Sequence, residues 1–583
     1  MNPRQWHELP APLQLLRLSG FRRQLREQNL HDTFEAGGEQ PRRPAKNRPA
    51  YRTYDGSGYD PDDTDMGAAG TRFDRNVPVE TTHPDPMPDL MTPSPREVSR
   101  HLLARDSFIP ARSLNLLAAA WIHFQNHDWF SHGRNPVSAP LEVPLAGDDP
   151  WPERTMLVRR TRPDPVPHEG AAAPTYQNTV THWWDGSQLY GSSESVARRL
   201  RAGEGGRLAM DGDRLPEETD DHASGGLPGI DMTGFADNYW VGLSLLHTLF
   251  AREHNAICAM LARAHPSWDD ERLFQTARLV NAAVMAKIHT IEWTPALLDS
   301  PGLRLAMRTN WHGVVGSVLR RRTPWRFGEN EVLSGILGSP MNHHGSPYAI
   351  TEEFVSCYRM HPLIADEWRI HSHLRGEYID TTDFEPLQGH STRTAVDKYG
   401  MSDLFYSFGI GHPGAITLHN HPDALRNLRN MFGEHIDLGA VDVLRDRERG
   451  VPRYAAFREM LGREPVTSFQ DITPDQRIAA ELAEVYDGRV DRVDTMVGMY
   501  AERPPAGFAF SDTAFRVFIL MASRRLKSDP FFTDLYNAEV YSPEGLAWIE
   551  RATMTGVLLR HHPELAPALA GTRGAFGPWR RLS

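Results

Sequence analysis

The stretch EFVSCYRMHPLIAD, residues 353–366, carries a tyrosine and a histidine three positions apart, Tyr358 and His361. If this stretch is helical up to Pro362, the two side chains lie on neighbouring parts of one helix face, with Cβ atoms about 5–6 Å apart. Such proximity suits electron transfer between a metal bound by His361 and the phenol of Tyr358. Taken alone, the pair is more typical of a buried helix whose tyrosine and histidine have satisfied hydrogen bonds, so the rest of the chain must decide.

The composition is that of a globular protein without a membrane span. Of the 583 residues, 40% are hydrophobic and 24% are charged, and no run of about 18 apolar residues occurs. The formal net charge of −12 disfavours nonspecific binding to nucleic acid. No secretory leader is visible at the amino terminus, so we expect a cytoplasmic protein.

The two cysteines, Cys258 and Cys357, both lie in apolar segments with helical character. Such a pair supports neither a disulfide framework nor a thiolate metal cluster. A reducing compartment is compatible with this cysteine usage.

Apolar residues recur at helical spacing in five segments of the chain. The predicted helices are 110–130, 241–261, 273–298, 354–361 and 513–526. Ser511 suits the N-cap of the last helix, and Asp529-Pro530 closes it. Strand signals are few and short, whereas the connections are long and rich in Pro and Gly. The predicted fold is therefore mainly α, a single large helical domain with long irregular connections and few short strands.

The first 110 residues differ from the rest. Residues 9–30 place leucines among arginines, a pattern typical both of a helix on an anionic membrane surface and of a helix packed on its own domain. Residues 35–110 are rich in Pro, Gly and Asp, and an extended arm wrapped over the surface fits them best. We therefore divide the chain into an N-terminal basic segment with its arm, 1–110, and a helical domain, 111–583.

Two histidines on the first long predicted helix, His123 and His127, are four positions apart and share a face. On a buried helix they act either as metal ligands or as acid–base groups, although ordinary core positions are more common for such a pair. The glutamate of the HExxH zinc motif is absent, which argues against a zinc hydrolase.

The stretch THWWDGS, residues 181–187, alternates side-chain oxygens at Thr181, Asp185 and Ser187 with backbone carbonyls. A hard cation such as Ca²⁺ takes about six to eight oxygen ligands, and a turning loop with a carboxylate and hydroxyls can supply them. Because Asp-Gly is a common turn pair, the stretch alone favours an ordinary turn.

Polar groups interrupt two other apolar helices. His289 and Thr294 lie in KIHTIEWT, residues 287–294, where they either bind a polar substrate group or satisfy the backbone. Arg524 and Arg525 end the helix in FILMASRRL, where cations also complement the helix dipole. An arginine that points inward is suited to a carboxylate, because its fork is bidentate.

Six stretches occur together in one order, and the ordered set is far more specific than any member. They are FQNHDWF at 124–130, THWWDGSQLYGS at 181–192, LLHTLFAREHN at 245–255, ARLVNAAVMAKIHTIEWT at 277–294, EEFVSCYRMHPLIAD at 352–366 and FILMASRRL at 518–526. With them the chain resembles the peroxidase-cyclooxygenase superfamily, and most closely its fatty-acid alpha-dioxygenases, from about Tyr51 to about Pro563. The resemblance implies a haem-peroxidase-like helical domain.

The resemblance also implies a haem b cofactor and a radical. His361 matches the proximal haem ligand, and His127 matches the distal histidine on the opposite haem face. Tyr358 matches the tyrosine that is oxidised to a radical.

Two further groups of residues are implied in the same way. The group that holds a fatty-acid carboxylate matches His289, Thr294 and Arg525, with Arg524 as the alternative arginine. A calcium site is implied at Asp128, Thr181, Trp183 through its carbonyl, Asp185 and Ser187.

The implied enzyme is a dioxygenase activated by peroxide, which adds O₂ at C2 of a fatty acid through the Tyr358 radical and gives a 2-hydroperoxy acid. Two alternatives stay open: a haem peroxidase that oxidises small donors with H₂O₂, and a non-enzymatic haem-binding protein. His123 departs from the family pattern, because related enzymes commonly have a glutamine one turn before the distal histidine. No growth-factor-like module or membrane-binding helix set is visible, which argues against prostaglandin synthesis.

Overall fold

The computed structural model describes residues 6–33, 49–136, 138–164, 173–219, 228–319, 342–429 and 433–583. Within these ranges, helices dominate. Those of six or more residues are α1 (Ala11–Gln28), α2 (Leu116–Trp129), α3 (Glu194–Leu200), α4 (Val241–Ala264), α5 (Asp270–Ile288), α6 (Pro301–Leu319), α7 (Glu352–Cys357), α8 (Ser391–Tyr399), α9 (Met401–Ile410), α10 (Leu438–Glu448), α11 (Tyr454–Met460), α12 (Gln476–Val485), α13 (Thr495–Ala501), α14 (Asp512–Ser528), α15 (Pro543–Arg551) and α16 (Met554–His561).

The strands in the described ranges form three separate antiparallel pairs at the surface of the helical body. They are β1 (Leu141–Pro144) with β2 (Thr155–Val158), β3 (Glu367–His371) with β4 (Tyr378–Asp383), and β5 (Leu428–Arg429) with β6 (His435–Ile436). The mainly helical fold with few short strands, predicted from the sequence, is confirmed.

Helix α2 lies at the centre of the hydrophobic core. It packs against α4 and α9, and its tryptophans Trp121 and Trp129 are fully buried. Asn115 caps it, accepting a hydrogen bond from the Ala118 amide at 3.1 Å. This helix therefore carries His127 and Asp128 into the interior and leaves His123 half-buried.

Two of the predicted helices end differently in the structure. The helix predicted to reach His361 stops at Cys357, Tyr358 is its C-cap, and His361 begins a separate 3-10 turn. At Tyr358 the backbone has left the α conformation, with φ −93° and ψ 11°, so the helix ends five residues before Pro362. Tyr358 and His361 therefore do not share one helix face, and the expectation of one was wrong.

The helix predicted over 273–298 continues through a π-helical turn. α5 ends at Ile288, His289–Trp293 forms the π turn, and a short α-helical turn follows at Thr294–Leu297. The helix predicted over 110–130 begins later, at Leu116, after its cap Asn115. The remaining predicted helices are confirmed, including the Ser511 cap of α14, whose side chain accepts a hydrogen bond from Ala514 N.

The N-terminal basic segment forms α1 and packs on α6 and α14. Leu18 and Leu25 are buried, and Arg22 Nη2 donates to Asn310 Oδ1 of α6 at 2.7 Å. Leu13 and Leu16 lie on the other side and are 47% and 62% exposed. The division of the chain at residue 110 stays a prediction. No helix within the described ranges is long and apolar enough to cross a membrane.

Candidate active site

A buried cavity brings together the predicted radical tyrosine and the predicted carboxylate-binding residues. Its wall contains Tyr358, His289, Thr294, Arg525 and Asn310. These residues come from the end of α7, the π turn after α5, α14 and α6. The cavity holds about 10 Å³, roughly the space that one water molecule requires, so a larger ligand enters only if side chains move.

Arg525 is buried between two indoles without a carboxylate partner among the described residues. Its guanidinium carbon lies 4.2 Å from the ring centre of Trp129 and 4.3 Å from that of Trp184. Its Nε and Nη2 make no hydrogen bond with the described residues. Because a buried guanidinium without partners is costly, these two donors are suited to an incoming anion.

The neighbouring Arg524 has a different environment. It donates to the carbonyl oxygens of His343 at 3.2 Å, Ala349 at 3.3 Å and Ser346 at 3.1 Å, and also to that of Pro347. Its donors are thus committed to backbone, outside the cavity wall. Of the two predicted arginines, only Arg525 lines the cavity.

His289 is fixed as a hydrogen-bond donor toward the cavity. Its Nδ1 accepts a hydrogen bond from Trp121 Nε1 at 3.3 Å. An indole N–H only donates, so Nδ1 carries the lone pair. Burial, and to a lesser degree the charge of Arg525, lower the pKa of His289 well below its usual range. The neutral ring therefore carries its proton on Nε2.

The π turn explains why His289 and Thr294 meet. On a regular α-helix, side chains five positions apart point about 140° away from each other. In the π turn the Thr294 amide donates to the His289 carbonyl, which stacks the two residues on one face. The Thr294 hydroxyl is buried and has no hydrogen-bond partner among the described residues, so it too is available to a ligand.

Tyr358 lies against aromatic rings at the cavity wall. Its ring meets Trp129 edge-on at 5.4 Å between centroids and Phe354 at 4.5 Å. Burial raises the pKa of Tyr358 above its usual range, and the charge of Arg525 opposes this only in part. The phenol is therefore neutral and can give up a hydrogen atom.

His361 is held by a carboxylate. Its Nδ1 lies 2.5 Å from Asp442 Oδ2, and Arg359 Nη1 donates to the other oxygen of Asp442 at 2.8 Å. Burial would raise the pKa of Asp442, but His361 and Arg359 outweigh it and lower that pKa to about 2. The ionised carboxylate directs the Nδ1–H of His361 toward itself and leaves Nε2 for a metal, an arrangement common in metal-ligating histidines.

A second histidine accompanies His361. The rings of His361 and His421 are 5.8 Å apart, and with Asp442 they form a group with ligand atoms within 4.8 Å of one another. Burial, and after it the charge of His361, lower the pKa of His421 to about 3. His421 is thus a neutral neighbour of the predicted haem ligand.

On α2 the rings of His123 and His127 lie 4.7 Å apart, edge to face. Burial, and next the charge of His123, lower the pKa of His127 well below its usual range. Its Nδ1 has no hydrogen-bond partner among the described residues. His127 is therefore neutral.

Three of the predicted calcium residues, Asp128, Asp185 and Ser187, lie close together and buried at the end of α2. Asp128 Oδ1 accepts a hydrogen bond from the Ser187 amide at 2.6 Å. Burial raises the pKa of Asp128 to about 7, because its charge is desolvated. Buried oxygens without hydrogen-bond partners among the described residues are Thr181 Oγ1, Asp185 Oδ2 and Ser187 Oγ. This donor set, two carboxylates and two hydroxyls, fits a hard cation.

Asp185 also has protein partners. Its Oδ1 accepts from Arg52 Nη1 at 3.0 Å and from the Tyr59 hydroxyl at 2.7 Å. Arg52 donates in turn to Asp529 at 2.9 Å. The loop is thus tied to the N-terminal arm through Arg52 and Tyr59.

Sequence reasoning missed Asp442 and the two indoles that enclose Arg525. Asp442 lies in LGAVDVLRDRE, and an aspartate among apolar residues of a helix signals a buried carboxylate with a partner. Trp129 directly follows His127 and Asp128 in FQNHDWF, and Trp184 lies inside THWWDGS. Neither pattern predicts which residue is contacted, because His361 and Arg525 lie far away in the chain.

Comparisons with known proteins agree with this geometry. The family model described as animal haem peroxidase matches residues 51–570. The chain is 37% identical to alpha-dioxygenase 2 of Arabidopsis thaliana, over 98% of this chain and 91% of that protein.

Two solved structures have the same architecture. A fatty acid alpha-dioxygenase of Oryza sativa, crystallised with palmitic acid, is 35% identical and superposes with a TM-score of 0.90 over 98% of this chain and 94% of that one. The fatty acid alpha-dioxygenase of Arabidopsis thaliana is 33% identical, with a TM-score of 0.89 over 99% and 90%. The chain belongs to the animal haem peroxidase family and, within it, to the alpha-dioxygenases.

Proposed function

We propose that this protein is a haem-dependent fatty-acid alpha-dioxygenase that adds O₂ at C2 through a radical on Tyr358. The observation that carries the proposal is the shared cavity: Tyr358 lines the same wall as Arg525, whose Nε and Nη2 have no hydrogen-bond partner among the described residues. Relatives that are fatty acid alpha-dioxygenases, one of them crystallised with palmitic acid, support a fatty acid as the substrate.

The carboxylate is the part of the substrate that this cavity can fix. Arg525 supplies two N–H donors, His289 its Nε2–H, and Thr294 its hydroxyl. A carboxylate held by these groups puts its neighbouring carbon, C2, nearest to the Tyr358 oxygen. The anchor thus decides which carbon reacts, because it sets which hydrogen lies within reach of the radical.

Tyr358 carries the hydrogen in both directions. As a phenoxyl radical it takes a hydrogen atom from C2 and becomes a phenol. The carbon radical combines with O₂, and the resulting peroxyl radical takes a hydrogen atom back from Tyr358. The product is a 2-hydroperoxy acid, and the tyrosyl radical is restored.

A haem b group would be held by His361, with His127 of α2 as the distal histidine. His361 would ligate the iron through Nε2, because Asp442 occupies its Nδ1. When bound, the haem supplies the oxidation, driven by peroxide, that removes an electron from Tyr358. His127 would take up and return the proton of the activating peroxide.

Two further proposals concern stability and location. A calcium ion bound by Asp128, Thr181, the Trp183 carbonyl, Asp185 and Ser187 would neutralise two buried carboxylates and join α2 to the loop 181–187. The exposed leucines of α1, Leu13 and Leu16, lie near Arg17 and support contact with an anionic membrane surface by a cytoplasmic protein.

The substitution Tyr358→Phe tests the radical. We expect it to abolish fatty-acid-dependent O₂ uptake, because phenylalanine has no hydroxyl to exchange hydrogen, while the Soret band is kept. Oxygen-electrode traces with palmitic acid and an absorption spectrum of the same preparation measure both. The matched control is Tyr176→Phe, since Tyr176 is buried, donates to Glu448 O at 2.9 Å and lies outside the cavity. Normal O₂ uptake by the Tyr358 variant would refute the assignment.

A further inference from the structure

His123 occupies the position at which related enzymes commonly have a glutamine, and its surroundings give it a defined role. Trp240 Nε1 lies 2.9 Å from His123 Nδ1. Trp240 immediately precedes α4, is 1% exposed, and packs against Trp368 and Phe408 with ring centroids 5.4 and 5.8 Å away. The donor that meets His123 is therefore held in place by its own packing.

The hydrogen bond from Trp240 determines which ring nitrogen of His123 carries a proton. An indole N–H donates and never accepts, so Nδ1 of His123 must offer its lone pair. Burial, and after it the charges of His361 and His247, lower the pKa of His123 to about 3. At neutral pH the ring carries one proton, and that proton sits on Nε2.

The two histidines of α2 consequently differ. His123 has its Nδ1 occupied and presents Nε2–H, a donor whose proton cannot move to the other nitrogen while Trp240 stays in place. His127 has an unpartnered Nδ1 among the described residues, and no indole restricts its tautomer. The same arrangement occurs at His289, where Trp121 occupies Nδ1.

We propose that Trp240 locks His123 as the Nε2–H tautomer, and that His123 serves as a fixed hydrogen-bond donor beside the proton-transferring His127. The inference rests on the proposed haem function, because the donor would act on an oxygen or nitrogen ligand bound on the His127 side. His123 acts by orientation: it donates a hydrogen bond and no proton leaves it. In this role it replaces the amide N–H of a glutamine, and Trp240 is its positioning residue.

Cyanide binding to the ferric holoenzyme tests the donor without any fatty acid. Hydrogen cyanide gives its proton to a base, here His127, and the bound anion accepts a hydrogen bond, here from His123. The dissociation constant of cyanide therefore depends on both histidines. His123→Leu removes the donor at similar volume, and we expect it to weaken cyanide binding about tenfold, the effect of one hydrogen bond to an anion. His123→Gln restores a donor, and we expect its affinity to lie within about threefold of the native value.

Trp240→Phe tests the lock. In the native background we expect it to weaken cyanide binding about twofold, because an even division of the His123 proton between two nitrogens halves the population of the donor tautomer. In the His123→Gln background the same substitution should have no effect, since a glutamine needs no tautomer. Equal effects of Trp240→Phe in both backgrounds would show that Trp240 acts only by packing, and would overturn the lock.

The C–O stretching frequency of the ferrous carbonmonoxy protein gives a second readout. We expect it to rise in His123→Leu and to stay near the native value in His123→Gln. Unchanged frequency and cyanide affinity in His123→Leu would overturn the donor role. His101→Leu, at a surface histidine paired with Glu97, is the control. Because neither measurement uses O₂ uptake, this inference can fail while the dioxygenase assignment holds, and the Tyr358→Phe assay can fail while the donor is demonstrated.

Discussion

Arg524 and Arg525 are consecutive residues at the end of α14, both at least 99% buried, yet their surroundings differ. The guanidinium of Arg524 is bound to four backbone carbonyls, whereas Arg525 lies between Trp129 and Trp184 with two nitrogens unpartnered among the described residues. A buried charge with all its partners stabilises a corner of the fold. A buried charge without them is costly to the apoprotein and marks a place where a ligand supplies the missing partner.

The substitution Arg525→Met should give the largest effect among the tests of this difference between the two arginines. We expect kcat/KM for palmitic acid to fall about a thousandfold, about 4 kcal/mol, because the substrate carboxylate loses its charged partner. The melting temperature should stay the same or rise, since an unpaired buried charge is removed. Steady-state O₂ uptake and differential scanning calorimetry measure the two effects. Native kcat/KM in this variant would contradict the role of Arg525. Arg525→Lys keeps the positive charge but removes the bidentate guanidinium, so it shows which of the two the substrate requires.

Arg524→Met should show the opposite pattern. Its removal leaves four backbone carbonyl oxygens without their donor and the buried Asp74 carboxylate, 3.8 Å away, without its cation, and we expect a loss of about 3 kcal/mol in the free energy of unfolding. The kcat/KM of the folded fraction, normalised to haem content, should change little. A stable Arg524 variant with lost activity would reverse the assignment of the two arginines.

Asp442→Asn extends the comparison to a partnered carboxylate inside the proposed site. The change keeps the size of the side chain but removes the charge that orients His361, and we expect haem affinity to fall about tenfold to a hundredfold. Titration of the apoprotein with haem, followed in the Soret region, measures it. Asp446→Asn is the matched control, because Asp446 also pairs with Arg359, at 3.2 Å, without contacting His361. Equal losses in both variants would exclude a specific role for Asp442.

Removal of calcium gives the smallest expected effect. The unpartnered oxygens of Thr181, Asp185 and Ser187 resemble Arg525, in that a ligand would satisfy them. At a free calcium concentration ten times the dissociation constant, we expect a stabilisation of about 1.4 kcal/mol that a chelator abolishes. Thermal unfolding with calcium, with magnesium and with chelator measures it. The same melting temperature in all three would count against a calcium site, and Asp185→Asn should eliminate any difference.

How far the sequence predicts this molecule is clearest at particular residues. The long helices are predicted well because their apolar residues recur at one spacing and their ends carry local signals, as Ser511 does for α14. The end of α7 at Cys357 was missed, because the nearest local stop signal, Pro362, lies five residues further on. Local patterns thus predict elements better than their boundaries.

The predicted site residues lie together for reasons that no local pattern contains. The choice between Arg524 and Arg525 depends on how α14 faces α7 and the π turn, which only the packed structure fixes. Asp442 is 81 positions from His361, so no short sequence motif contains both residues and predicts their contact. The resemblance supplied the residues, and the structure supplied their partners.

The π turn at His289–Trp293 makes the proposed carboxylate site depend on a backbone hydrogen-bond register as well as on the identity of its residues. If these residues formed a regular α-helix, the side chains of His289 and Thr294 would point about 140° apart and would no longer face one ligand. Deleting one residue between them would instead leave the two side chains four positions apart, which a regular α-helix holds on one face. A protein of this architecture can thus lose its carboxylate site through a change of helix register while every residue of the site is retained.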